Sequence, residues 1–286
     1  MKLEQLYNFI LEEGAKNDPR QHIKKYTYPD TAILFGNLKG QIKNIMVGID
    51  IGVAEVLLAD RLRKNGRQVD LILVHHPLGI AQTNYASAMN MQTDLLHLAG
   101  FSKATAKKLN KPDMKKIRRN LYLTNYNKVV DAARLLNIPL ICAHTPVDNL
   151  VWSHLNNHLQ RAKRLGDVID LLLKLPEYRH ASQIGLPPTI IKGRTNDKVG
   201  KFWIDMTGAN PLPSSAIRRM KNIGIDTVVA MHLFEETFKE LNHTHINYIV
   251  CGHMASDSLG LNLLLKKLSQ KTKFKVIPCG GFWRIL

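Results

Sequence analysis

A chain of 286 residues can bury a substantial core, and at roughly 100 to 200 residues per domain it has room for two lobes. Its 45% hydrophobic and 22% charged residues exclude a disordered chain, and three cysteines far apart, Cys142, Cys251 and Cys279, exclude both a disulfide framework and a thiolate zinc site. Forty Lys and Arg against 23 Asp and Glu leave a net charge of +17, a positive field that favours anions as partners without naming one.

The first predicted element is an amphipathic helix, because Leu3, Leu6, Tyr7, Ile10 and Leu11 recur at helical spacing among acidic residues, unlike the continuous apolar run of a signal peptide. No apolar stretch is long enough to span a bilayer, so no membrane partner is expected, and a reducing cytoplasm is the expected compartment. Residues 44 to 50 (NIMVGID), then VAEVLLADRLRKNG, then VDLILVHHP read as strand, helix ending at Gly66, and buried strand. His75 and His76 thereby fall at the carboxyl end of a strand, the edge where open parallel sheets bind ligands. Asp50 lies near the same edge and reads as a helix cap as readily as a substrate contact.

Residues 84 to 137 read as helical, with Pro112 expected to open a second helix through Ile117, Leu121, Val129, Val130 and Leu135. Lys103, Lys107, Lys108, Lys111, Lys115, Lys116, Arg118 and Arg119 make this the densest basic stretch, either a solvated face or one turned to an anionic substrate or a nucleic acid. PLICAHT reads as a short strand ending at His144, with Thr145, Pro146, Asp148 and Asn149 supplying turn chemistry. Residues 198 to 205 suggest another strand. TVVAMH, LFEETFKEL and INYIVCGH repeat strand, helix, strand, and a further helix is expected to start at Ser256 or Asp257.

Neighbouring side chains on a regular strand point to opposite faces, so His75 and His76 would each serve a different ion, and Pro77 ends the ladder behind them. Asp148 lies four residues after His144, and Asp257 four after His253, a spacing that one helical turn brings together. Such an imidazole and carboxylate set suits Zn, Fe, Mn or Co. Capping aspartates and unrelated buried histidines are the alternative. His154 and His158, also four apart, have no accompanying Glu motif; Cys142 and Cys251 read as small core residues; His232, ahead of Glu235 and Glu236, is a candidate neighbour of the site.

The segments LILVHHP, CAHTPVD and VCGHMASD, following VGIDIGVAEVLLAD in that order, resemble the Nif-three-like family, also labelled GTP cyclohydrolase I type 2. The resemblance implies two related α/β lobes with a metal site in the cleft between them: residues 1–138 and 252–286 in the first, with a basic helical insertion at about 84–120, and residues 139–251 in the second. It further implies two divalent ions, one on His76 and Asp148, the other on His75 and His253, with Asp257 in the bridging position, His144 nearby, and a ring-shaped homohexamer. Two departures stand out. Asp257 replaces the family's usual Glu and, being one methylene shorter, is expected to favour one ion and leave the other site weak; and the interval between the first two motifs is long.

The function expected from this pattern is metal-dependent hydrolysis of a nucleotide or another phosphorylated compound, with His144 and His232 as the catalytic proton-transfer groups and Zn, Fe or Mn as the ions. The rival is a noncatalytic metal-binding regulatory protein that contacts nucleic acid or protein partners. No RNA- or DNA-binding motif supports the rival, and no purine pocket is legible for a cyclohydrolase.

Overall fold

Residues 1–20 and 28–285 are described by the structure, a computed structural model. Its strands are β1 (Ala32–Phe35), β2 (Asn44–Gly48), β3 (Leu71–Val74), β4 (Leu140–Cys142), β5 (Thr189–Lys192), β6 (Phe202–Asp205), β7 (Thr227–Ala230), β8 (Asn247–Val250) and β9 (Lys275–Cys279). They form two mixed sheets of order β1-β4-β3-β2-β9 and β5-β8-β7-β6. Within each sheet the central strands run parallel, and one edge strand, β1 or β5, runs antiparallel.

Parallel strands covered by helices on both faces read as unbroken apolar runs, which is the character of β3, buried at all four residues. One face of the first sheet packs Ile45, Val47, Leu71 and Leu73 against Leu3, Leu6 and Ile10 of the Leu3–Lys16 helix. The other face packs Met46, Ile72 and Val74 against Val56 and Ala59 of the Val53–Lys64 helix and Val129 and Val130 of Lys128–Leu135. Each such large aliphatic side chain contributes about 1.5–3 kcal/mol on burial.

Two helices belong to both halves. Thr145–His158 gives Val147 and Leu150 to the first core and Val151 and Leu155 to the second; His253–Ser269 gives Leu261, Leu264 and Leu265 to the first and Ala255 and Leu259 to the second. They touch at Gly260, where an added Cβ would lie 2.6 Å from Val147 Cγ1 and 2.8 Å from Val151 Cγ2. Only a residue without a side chain permits that approach.

Four features differ from the sequence reading. Strand β4, expected to open the second lobe, lies inside the first sheet between β1 and β3, because its backbone completes the ladder of β3. Pro112 sits inside one continuous helix, Lys103–Leu121, and does not begin a new one. Packing compensates for the amide it lacks: Ala106 and Leu109 are buried against Ile217 and Met220 of the Ser214–Met220 helix, and Asn110 Nδ2 donates to Met89 O at 2.7 Å. The residues after His144 form the first turn of Thr145–His158, with Pro146 in the position where a missing N–H costs nothing. The last long helix starts at His253, three or four residues earlier than expected, after Gly252 turns the chain with φ 104°. Among the described residues no helix is long and apolar enough to cross a membrane.

Candidate metal centre

The carboxyl ends of β3 and β4 in one sheet and of β6, β7 and β8 in the other open onto one pocket of about 440 Å³, whose lining includes His75, His76, His144, Asp148, His232, His253 and Asp257. The histidine pair does not divide between two faces as a regular strand would demand. Strand β3 ends at Val74, the chain bends, and the rings of His75 and His76 lie 5.2 Å apart on the same side.

Each of three imidazoles is held through Nδ1. His75 Nδ1 donates to the carbonyl of Ala143 at 3.0 Å, His76 Nδ1 to Asp50 Oδ1 at 2.7 Å, and His144 Nδ1 to Asp30 Oδ2 at 2.8 Å. An Nδ1–H engaged by oxygen fixes the tautomer that leaves Nε2 a free lone pair, the arrangement that orients metal-binding histidines. Asp30, which also accepts from Thr145 Oγ1 at 2.6 Å, was not legible in the sequence.

The freed nitrogens converge on carboxylates. His75 Nε2 lies 3.4 Å from Asp148 Oδ1 and 3.5 Å from Asp257 Oδ1. His76 Nε2 and His253 Nε2 lie 3.3 Å apart, and each is 3.3 Å from Asp257 Oδ2. The atoms thus group His75 with Asp148 and His76 with His253, the reverse of the expected pairing. The reason is that β3 and β4 are neighbours, so His75 faces the turn that carries Asp148, while His76 leans toward the second sheet. The shorter Asp257 is not confined to one side: its two oxygens divide between the two sets because the helix carrying it begins at the cleft and buries it completely.

These residues fit a cation. Asp148 Oδ1 and both oxygens of Asp257 are buried with no hydrogen-bond donor, an arrangement whose desolvation cost a bound cation would offset. A tetrahedral ion with ligands at about 2.0–2.1 Å separates neighbouring ligand atoms by roughly 3.3–3.4 Å, the edge length of the His76, His253 and Asp257 triangle. Ligand-capable atoms of His75, His76 and Asp257 lie within 4.8 Å of one another, as do those of His75, His144 and Asp148, and either group could hold a metal ion. Burial, which lowers the His75 pKa, is outweighed by Asp257 and Asp148, so it stands well above the usual imidazole value. For Asp257, burial is outweighed by His75, His76 and His253, and its pKa falls far below the usual carboxylate range.

His232 stands edge-on to His253 with ring centroids 4.8 Å apart, and its Nδ1 is buried without a partner; burial holds its pKa down. Tyr85, also unforeseen, packs its ring 5.5 Å from His144 and donates its hydroxyl to the carbonyl of Ala209. Glu235 and Glu236 open a surface helix, where Glu236 pairs with Lys116. His154 and His158 stack 5.7 Å apart, and His158 Nε2 is taken by the carbonyl of Leu171. Cys142 and Cys251 are buried thiols whose pKa values burial pushes up, which keeps them protonated.

The molecule is therefore a two-sheet α/β protein with a histidine and carboxylate cluster at the strand ends that could bind metal. No protein-family model and no curated protein matches its sequence. Among solved structures it is similar to a NIF3 superfamily protein from Sphaerobacter thermophilus, with 25% identity over 97% of this chain and 98% of that one and a TM-score of 0.84. It also shares its fold with reduced HcgD from Methanocaldococcus jannaschii, at 16% identity over 97% of each chain and a TM-score of 0.59. A third, the structural-genomics protein ybgI of unknown function, has 15% identity over 98% of each chain and a TM-score of 0.57. The chain therefore shares the fold of NIF3-like proteins over nearly its whole length.

Proposed function

We propose that the protein is a divalent-metal-dependent hydrolase with a dinuclear centre, acting on a nucleotide or another phosphorylated small molecule. The observation that carries this reading is the carboxylate of Asp257, buried, without a donor, and flanked by His75 on one oxygen and by His76 and His253 on the other. Asp148 completes the His75 side. When bound, two divalent ions of Zn, Fe or Mn type supply Lewis acidity, polarising a substrate oxygen and acidifying water.

The protein's own groups divide the remaining work. Asp30 fixes the His144 ring, so that its Nε2 is presented for proton transfer, and the unpartnered Nδ1 of His232 offers a second acceptor on the opposite wall. Ile117, Leu121, Met231 and Phe234 give the pocket apolar sides that exclude water from the reacting group and match the flat face of a base. The net charge of +17 favours arrival of an anion.

The family likeness extends the proposal to a homohexamer, and three free thiols suit a reducing cytoplasm. The test is a panel of nucleotides and phosphate esters incubated with protein loaded with Mn, Fe or Zn, with products separated by chromatography. Turnover that His144→Gln lowers by about 10²-fold or more at unchanged metal content supports the reading. No turnover above the metal-free protein on any member of the panel removes it.

A further inference from the structure

The helix that walls the metal pocket carries a row of cations on an adjoining face. Lys103, Lys107, Lys111, Lys115 and Arg118 recur every three or four residues along Lys103–Leu121, so they stand on one side of it, with i,i+4 neighbours about 6 Å apart along the axis. All five are exposed at the edge of a groove of about 530 Å³ between this helix and Asn90–Ala99. Among the described residues none of the five has a carboxylate at ion-pairing distance, although Lys116, just off the row, finds Glu236 at 3.3 Å. The acid on the opposite wall, Asp94, is engaged by Arg20 at 3.3 Å. Like charges one turn apart work against a helix, and a bound polyanion would offset that repulsion.

The row ends in an aromatic. Tyr122 continues the helical backbone with φ −67° and ψ −17°, stands one turn beyond Arg118, and is 85% exposed. Ile117 and Leu121, on the neighbouring face of the same helix, belong to the wall of the metal pocket, so the row finishes at the mouth of that pocket.

We propose that this groove binds single-stranded nucleic acid, its phosphates following Lys103 to Arg118 and a base stacking on Tyr122. A cationic track joined to an exposed ring is how single strands are held without sequence preference: the charges follow the backbone and the ring takes the face of any base. A duplex buries its base faces and would leave Tyr122 idle, and an inorganic polyphosphate offers nothing to stack. The site stands apart from the hydrolytic reading, since binding here needs no metal.

The test is fluorescence anisotropy with a fluorescein-labelled 12-nucleotide single strand, as DNA and as RNA. Five phosphate contacts predict a slope of log affinity on log salt of about −3.5, and replacing Lys107, Lys111 and Lys115 together by Ala should reduce its magnitude by about 2. The same number of lysines replaced elsewhere, at Lys39, Lys271 and Lys273, should leave affinity within about twofold. Tyr122→Ala should weaken the single strand by about fivefold or more, with Tyr122→Phe restoring it, while leaving competition by inorganic polyphosphate unchanged. All of these positions are exposed, so the variants remain folded. Equal loss from the control triple, duplex binding as tight as single-strand binding, or indifference to Tyr122→Ala would each overturn the proposal.

Discussion

Asp50 Oδ1 accepts a hydrogen bond of 2.7 Å from His76 Nδ1, joining the residue after β2 to the residue after β3 across 26 positions of sequence. The Asp50 side chain is 70% exposed, so it supports no core; what it does is hold the imidazole with Nε2 aimed at His253 and Asp257. Carboxylates in this relation to a ligating histidine typically account for 10- to 100-fold in metal affinity. Asp50→Ala is therefore expected to weaken Zn or Mn binding on the His76 side by about that factor in calorimetry while leaving the thermal midpoint of the metal-free protein unchanged. An equal loss of metal-free stability would show that Asp50 acts on the fold and not on the metal site.

Asp205 closes β6 inside the cleft, and burial raises its pKa from 3.8 to about 6. Leu212 N–H donates to Oδ2 at 2.8 Å, while Oδ1 has no partner and Gln92 beside it is also unsatisfied, so the protonated form suits the site better. A folded-state pKa above the unfolded one means that the native chain binds the extra proton. The resulting stability is complete below pH 4 and is lost as pH rises through about 6, amounting to roughly 3 kcal/mol for a two-unit shift. Urea unfolding between pH 4 and 7 should show this decline, and Asp205→Asn, which offers an N–H where the protonated acid offers an O–H, should flatten it.

How far the sequence disclosed this site follows from the range of each interaction. His75, His76, His144, Asp148, His253 and Asp257 were legible because they lie just after predicted strands or one turn further on, and a four-residue spacing is a local signal. Asp30 and Tyr85 were not, since what gives them a role is contact with His144 across 114 residues in one case and packing on a separate segment in the other. Strand β4 was seen as a strand but assigned to the wrong sheet, because its apolar run fits any buried parallel neighbour equally well. The division of ligands between the two halves of the cluster depended on the bend after Val74, which a reading of strand alternation cannot supply.

Gly260 fixes the distance between the two helices that carry Asp148 and Asp257. A methyl there would meet Val147 Cγ1 at 2.6 Å and Val147 O at 3.0 Å, and the backbone oxygen cannot move aside by a rotamer change. Gly260→Ala should cost about 1–3 kcal/mol of stability and reduce metal occupancy, since the helices must separate. Val147→Ala removes the side-chain part of the clash, so the double variant should be less destabilised than the sum of the two single ones. Simple additivity in denaturant unfolding would place the strain elsewhere.

The bridging role proposed for Asp257 gives the sharpest contrast between sequence and structure. One methylene shorter than the usual Glu of the family the sequence resembles, it is expected from sequence to favour one ion and leave the other site weak. In the fold its oxygens already lie 3.5 Å from His75 Nε2 and 3.3 Å from both His76 Nε2 and His253 Nε2, and the residue is fully buried. A longer arm would push the carboxylate into the space between these imidazoles that the ions would occupy, so Asp257→Glu should lose occupancy and cost about 1–3 kcal/mol by crowding. Asp257→Asn keeps the shape and removes the charge between the two imidazole sets, which should weaken both binding events; Asp257→Ala removes charge and reach together and should empty the centre. Metal analysis, calorimetry and thermal unfolding on the three variants separate these effects. A Glu variant that holds more metal than the unaltered protein, at no loss of stability, would show that the short carboxylate does limit the second site.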